Sequence, residues 1–203
     1  MAGIKLTFSN MLQLISALSP IIVASFFLML TFMNQNVKGI VFIAGALLAT
    51  VINIFIMNQV KSPISDKASM VCNIVDLPFI NKFNSPAPSS LFLAFTFAYM
   101  FLPMHYNSQL NYAVIATLLS LFTMDAVSKI NNSCTTVGGI VLGGLIGFVF
   151  GALWYTLFHS LGYDSLLYFD EMDSNNIQCS RPSKQTFKCS VYKNGQLVSS
   201  NIA

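Results

Sequence analysis

The side chains able to do chemistry are few and sit at the ends of apolar segments. His105 and His159 both fall at segment boundaries, where an imidazole serves as a polar end cap or, less commonly, as a base. Asp125 and Lys129 are four residues apart, a spacing that puts both on one helix face and permits an ion pair. That pair can close a helix end or relay a proton, and the structural role is the commoner one. Cys72 and Cys134 lie in loops, whereas Cys179 and Cys189 share the C-terminal tail. An oxidising location would let Cys179 and Cys189 pair, the alternative being two free thiols. One cysteine pair without a tail histidine excludes a zinc site, so the expectation is no metal and no cofactor. The acidic residues Asp66 and Asp76, and those around Asp170, lack the spacing of a calcium loop. No Walker loop, dinucleotide fingerprint, Ser-x-x-Lys or zinc-protease pattern is present.

The elements that must position these groups are membrane segments. Charged residues make up 8% of the chain and hydrophobic ones 55%, against roughly 25% charged in soluble domains. A net charge of +3 is too small for a nucleic-acid footprint. Five stretches approach the length of about 20 residues that a bilayer demands. They run over 11–33, 39–57, 89–104, 111–127 and 137–161. The first exceeds the 7–15 apolar residues of a signal peptide and reads as a membrane helix. The fifth contains GGIVLGGLIGFVFG, in which Gly139, Gly143, Gly147 and Gly151 recur on one helical stripe, with Gly144 beside them. In lipid such a glycine zipper lets a neighbouring backbone approach, and packing drives the association. The stripe is therefore expected to meet another helix, within the chain or in a second copy of it.

Five crossings place the termini on opposite sides. Lys5, Lys61, Lys67, Lys82 and Lys129 collect on the N-terminal face and Lys38 on the other. By the positive-inside rule the N-terminus is cytoplasmic and the C-terminus exoplasmic. The domain reading is a transmembrane unit over 1–161 and a polar tail over 162–203. In that tail Phe187–Tyr192 reads as a strand, and Asn194-Gly195 is a favoured pair for a two-residue hairpin turn. Leu197 and Val198 would return opposite Tyr192 and Val191.

The third and fifth segments together carry a resemblance. SPAPSSLFLAFTFAYMF resembles the second motif of the membrane-bound type 2 phosphatidic acid phosphatase superfamily, P-S-[GS]-H at the start of a helix. Pro88, Ser89 and Ser90 match, and Leu91 replaces the histidine. SKINNSCTTVGGIVLGGLIG resembles the third motif, S-R-x5-H-x3-D before a glycine-spaced helix. Ser128 matches, Lys129 stands for arginine, Thr135 for histidine and Gly139 for aspartate, while Gly143 and Gly147 match family glycines. The first motif, K-x6-R-P, has no counterpart among Lys61, Lys67 and Lys82. In the family one histidine attacks phosphorus, the other protonates the leaving oxygen, and an aspartate orients the nucleophile. Leu91, Thr135 and Gly139 do none of these jobs. The resemblance thus implies a pseudoenzyme with a structural or assembly role. Its alternative is a lipid-phosphate phosphatase or binder using Lys82, Ser89, Ser90, Ser128 and Lys129 on a phospholipid or isoprenoid phosphate. The tail string CSRPSKQTFKCSVYKNGQLV is similar to the C-terminal segment of uncharacterised multi-pass membrane proteins of large DNA viruses. That similarity implies a virion or host endomembrane location, with virion membrane partners or further copies of the chain.

The expected fold is an all-α membrane protein with about five transmembrane helices in one bundle and a small polar C-terminal tail containing a β-hairpin.

Overall fold

The computed structural model describes residues 8–63, 68, 72, 83–168, 188–193 and 196–202. Residues 1–173 form one compact unit and residues 174–203 a second. In the first unit five helices follow in order: α1 (Phe8–Met33), α2 (Lys38–Val60), α3 (Pro88–Tyr106), α4 (Tyr112–Asn131) and α5 (Val137–Ser160).

Local chemistry sets the helix ends. Asn111 caps α4 by accepting hydrogen bonds from the Ala113 and Val114 amides, and Thr136 caps α5 by accepting from Gly139. Pro88 occupies the first turn of α3, where its missing N–H costs nothing. The N-cap position before it, Ala87, donates its backbone N–H to the Gly139 carbonyl at 2.9 Å. At the other end of α2, Lys61 adopts the left-handed conformation (φ 49°), and its N–H closes the helix on the Met57 carbonyl. Pro20 lies inside α1 and cannot donate to the Ser16 carbonyl four residues back. The Ser19 hydroxyl fills that gap, donating to Ser16 O at 2.8 Å.

Side-chain neighbours give the helix directions. Gly143 of α5 faces Ala87, the N-cap of α3, and Gly147 and Gly151 face Leu91 and Phe95 within α3, so the two helices run parallel with a constant residue offset. The Ser16 hydroxyl near the start of α1 reaches Asp125 near the end of α4. Trp154 late in α5 donates to the Val41 carbonyl early in α2 at 3.1 Å. Thus α1, α3 and α5 point one way, and α2 and α4 return.

Among the described residues four helices are long and apolar enough to cross a bilayer: Gln13–Met33, Lys38–Val60, Tyr112–Asn131 and Val137–Ser160, with mean hydropathies of 2.2, 2.6, 1.6 and 2.1. The third helix, α3, is not among them. It is the buried centre of the bundle instead, with Leu91, Leu93, Phe95, Ala98 and Tyr99 all but inaccessible. Phe42 of α2 meets Phe27, Phe95 and Tyr99 at ring-centroid separations of 4.3, 5.8 and 5.5 Å, forming an aromatic core between α1, α2 and α3.

Residues 162–168, read from the sequence as the start of the polar tail, pack back on the helices. A 3-10 turn over Asp164–Leu166 leads to buried Leu167, and the Tyr168 hydroxyl donates to the Phe27 carbonyl at 3.4 Å. Burial pushes the Tyr168 phenol up, with a hydrogen bond involving Thr31 pulling the other way.

The second unit contains an antiparallel pair, β1 (Lys188–Lys193) and β2 (Gln196–Ile202). Tyr192 pairs with Leu197, while a register irregularity sets Val191 opposite Ser199 rather than Val198. The turn pair Asn194-Gly195 lies outside the described residues, as does Cys179.

Candidate functional site

The parallel pairing of α3 and α5, with α4 returning beside α3, gathers polar side chains at the N-terminal end of the bundle. The centre is Asp125, 1% exposed. The Ser89 hydroxyl donates to its Oδ2 at 2.5 Å, and the Ser16 hydroxyl to its Oδ1 at 3.4 Å. The Lys129 ammonium lies 3.7 Å from Oδ1 and also donates to Ser89 Oγ. One carboxylate therefore ties α1, α3 and α4 together. Removing a carboxylate from water is costly unless charge and hydrogen bonds replace the solvent, and here both do. Lys129 keeps part of its length in contact with the outside, its side chain being 24% exposed.

Around this cluster lie other polar groups. Ser90 is 1% exposed, and its hydroxyl has no hydrogen-bond partner. Asn53 of α2 donates to the Pro86 carbonyl at 3.4 Å, leaving its Oδ1 unpartnered, as is the Oδ1 of Asn84. The Thr135 hydroxyl is spent on the Asn84 carbonyl. A disulfide joins Cys72 in the α2–α3 connection to Cys134 in the α4–α5 connection.

Five residues were candidates for holding a phosphate. The structure brings Ser89 and Lys129 into contact and buries Ser90 one residue on. Ser128 lines a groove between α1 and α4 whose lining includes neither Ser89 nor Lys129. Lys82 lies outside the described residues. Leu91, Thr135 and Gly139 are taken up by local contacts. Leu91 is buried with its backbone against Gly147, Thr135 holds a carbonyl, and Gly139 sits against Thr135, Asn84 and Ser85.

The four zipper glycines lie along α3 and the turn that precedes it. A methyl group at Gly143 would meet the Ala87 backbone, at Gly147 the Leu91 backbone, and at Gly151 Phe95 and Ala98. Gly144, beside the stripe, faces Phe122 of α4 instead.

The opposite end of the bundle holds the histidines. His159 Nδ1 lies 2.7 Å from Asp164 Oδ1, both side chains being exposed. Its ring stacks on Tyr155 and Tyr106 with centroids 5.5 and 5.9 Å away. His105 stacks on Phe101, also one turn away on its own helix. Tyr106 is a ring neighbour of both histidines, 6.1 Å from His105 and 5.9 Å from His159, and among the described residues no group of three His, Cys, Asp or Glu side chains could hold a metal.

Three features of the N-terminal end were invisible to sequence reasoning. Ser16 lies 109 residues from Asp125, the two cysteines are 62 apart, and the unpartnered Oδ1 atoms of Asn53 and Asn84 follow no motif. The Ser16–Ser19–Pro20 string was the available signal for α1, since a helix proline frees a carbonyl that a nearby hydroxyl can take.

No family model matches the chain, and no curated protein or solved structure is similar to it.

Proposed function

We propose that this helical membrane protein is non-catalytic and serves a structural or assembly role, with a phosphatase-like helical frame that has lost its chemistry. The observation that carries this reading is the closed Asp125–Ser89–Lys129 cluster. A phosphate site needs cations left free for the ligand, yet Lys129 already faces a buried carboxylate and a hydroxyl. Leu91, Thr135 and Gly139 are occupied in packing. The protein would then act through its surfaces, on membrane lipid, on further copies of itself or on virion membrane partners. The tail resemblance supports a virion or host endomembrane setting.

The reading includes a fifth crossing by α3. Its 19 residues rise about 28 Å, close to the bilayer core of about 30 Å. It runs beside α5 throughout, so protein rather than lipid would cover it. The lysine asymmetry supports a cytoplasmic N-terminal face and an exoplasmic C-terminus. The Cys72–Cys134 bond lies on that same N-terminal face and argues for the opposite orientation, because disulfides persist in oxidising compartments rather than in the cytoplasm. Membrane-impermeant thiol labelling of Lys61→Cys and Ser200→Cys in sealed membranes decides the point. Protection of position 61 with labelling of position 200 from the exoplasmic side supports the proposed orientation; the reverse pattern inverts it.

A second reading, a lipid-phosphate binder or phosphatase, is favoured by the contact between Ser89 and Lys129. Purified protein assayed on phosphatidic acid and polyprenyl pyrophosphate separates the two. We expect no turnover. Hydrolysis that disappears in Ser90→Ala or Lys129→Ala would defeat the non-catalytic reading.

A further inference from the structure

We propose that the groove between α1 and α4 binds one glycerolipid molecule by its ester region and the upper part of one acyl chain. This rests on reading α1 and α4 as bilayer-spanning, and deepens it by naming a lipid site. The groove has a volume of about 310 Å3, within the small-ligand range of about 300–1,000 Å3. Gln13 of α1 forms one side, and Thr123, Met124, Val127, Ser128, Asn131 and Asn132 form the other.

The lining is graded along the helix axis. Asn131 ends α4 and Asn132 caps it, which puts the amides at the membrane boundary. Thr123 lies eight residues deeper, about 12 Å along the axis at the α-helical rise. Between them are Met124 and Val127, which offer hydrocarbon. Thr123 spends its hydroxyl on the Ser120 carbonyl of its own helix at 2.9 Å, and so presents mainly its methyl group. The groove is thus polar at its mouth and apolar below, the order in which a glycerolipid presents its esters and its chain.

The donor chemistry selects the ester region over a charged head. Ester oxygens only accept hydrogen bonds. Gln13 and Asn131 offer amide N–H groups and Ser128 a hydroxyl. Among the described residues no titratable side chain lines the groove, and Asp125 and Lys129 of the same helix are engaged with each other and with α3. Recognition is therefore independent of headgroup charge, which separates this site from any phosphate site at Ser89 and Lys129.

The test uses the full chain reconstituted in phosphatidylcholine vesicles doped with a phosphatidylcholine carrying a photoactivatable diazirine high on one acyl chain. Crosslinked peptides are mapped by mass spectrometry. We expect labelling at 124–131 to exceed, several-fold, that on the exposed Leu145 and Val149 face of α5. Val127→Trp, which fills the groove from an exposed position, should lower it to the α5 level, with the fold checked by thermal melting. Gln13→Leu with Asn131→Leu removes donors without filling space and should also lower it. Replacing phosphatidylcholine by phosphatidylglycerol should leave it unchanged. Equal labelling of α4 and α5 in the wild type means ordinary boundary lipid and overturns the proposal. Enrichment that survives both variants does the same, as does chain-to-chain crosslinking through α4, which would make a second copy the occupant. An absence of label on α5 as well would instead remove the bilayer reading beneath it.

Discussion

The third and fourth helices are nearly equal in length, 19 and 20 residues, and the chain treats them in opposite ways. Twelve residues of α3 are buried, whereas in α4 only Leu118 and Asp125 are. Yet α4 passes as a membrane span by composition and α3 does not. Hydropathy measures suitability for lipid, and a helix wrapped by other helices need not meet lipid. Polar residues at the ends of α3 lower its average, Ser89 and Ser90 while buried and His105 from an exposed position in the last turn. On α4 the hydroxyls of Thr117, Ser120 and Thr123 bond to carbonyls of their own helix, which lets them face outward in an apolar medium. Packing, then, assigns the inner helix, and self-satisfaction of polar groups licenses the outer one.

The largest expected effect breaks the link between the two. Asp125→Ala leaves the Lys129 ammonium and the Ser89 hydroxyl facing an apolar gap. Losing one partner of a buried pair costs about 3–5 kcal/mol. The partial exposure of Lys129 lets its head move outward, which puts the expectation at the lower end of that range. Asp125→Asn, which retains a hydrogen-bond acceptor, should cost less. Thermal melting in detergent reads both, and a wild-type midpoint for Asp125→Ala would show that the cluster does not hold α1, α3 and α4 together.

Next come substitutions that add the same group to each helix. Ala98 of α3 is fully buried beside Gly151, whereas Ala116 of α4 is exposed. Ala98→Leu should cost about 1–3 kcal/mol by overpacking, and Ala116→Leu should stay within about 0.5 kcal/mol. Gly147→Leu belongs with the first, because its added atoms meet the rigid Leu91 backbone. Equal melting of the two alanine variants would erase the contrast between inner and outer helix.

These positions also show which parts of the molecule can be read from sequence. Glycines recurring every four residues in an apolar run announce a close helix contact, because nothing else justifies their cost in a helix interior. The Asp125–Lys129 pair is legible for the same reason, a fixed spacing on one element. All five helices lie near the segments drawn from hydrophobic runs, α4 extending to Asn131 beyond the expected 127. What stays hidden depends on distant elements meeting. Nothing local links Ser16 to Asp125 or Cys72 to Cys134, and a hydrophobic run does not say whether lipid or protein will surround it. The register of β2 against Val191 shifted because an irregularity in a ladder leaves no signature in alternating side chains.

A smaller effect is expected where both helices carry the same hydrogen bond. Thr96 of α3 and Thr117 of α4 each donate to the carbonyl four residues earlier at 2.8 Å, the first fully buried and the second exposed. Each acceptor carbonyl also receives its helical N–H, so neither Thr→Val change strands a polar group. Both variants should melt within about 1 kcal/mol of wild type. A much larger loss in Thr96→Val alone would show that its hydroxyl has a second role inside the bundle.

The smallest effect belongs to the exposed positions of α5 outside its glycine seam. Leu145 is 59% exposed and Phe148 is 42% exposed, with the Phe148 ring centroid 6.5 Å from that of Phe97. In a bilayer, acyl chains replace whatever protein surface such a side chain loses, so burial gives little driving force there. Leu145→Ala should therefore leave the melting midpoint within about 0.5 kcal/mol of wild type. Phe148→Leu also gives up part of an aromatic contact, which adds at most about 0.5–1.5 kcal/mol for a well-placed pair. The Phe97–Phe148 rings are tilted and near the outer distance for such pairs, which places the expectation at the low end. Both changes should fall well below Gly147→Leu, on the same helix and of similar size. If Phe148→Leu instead costs as much as Gly147→Leu, lipid does not cover that position. A second copy of the chain would be the first candidate to cover it, and loss of a crosslinked dimer in the same variant would identify it.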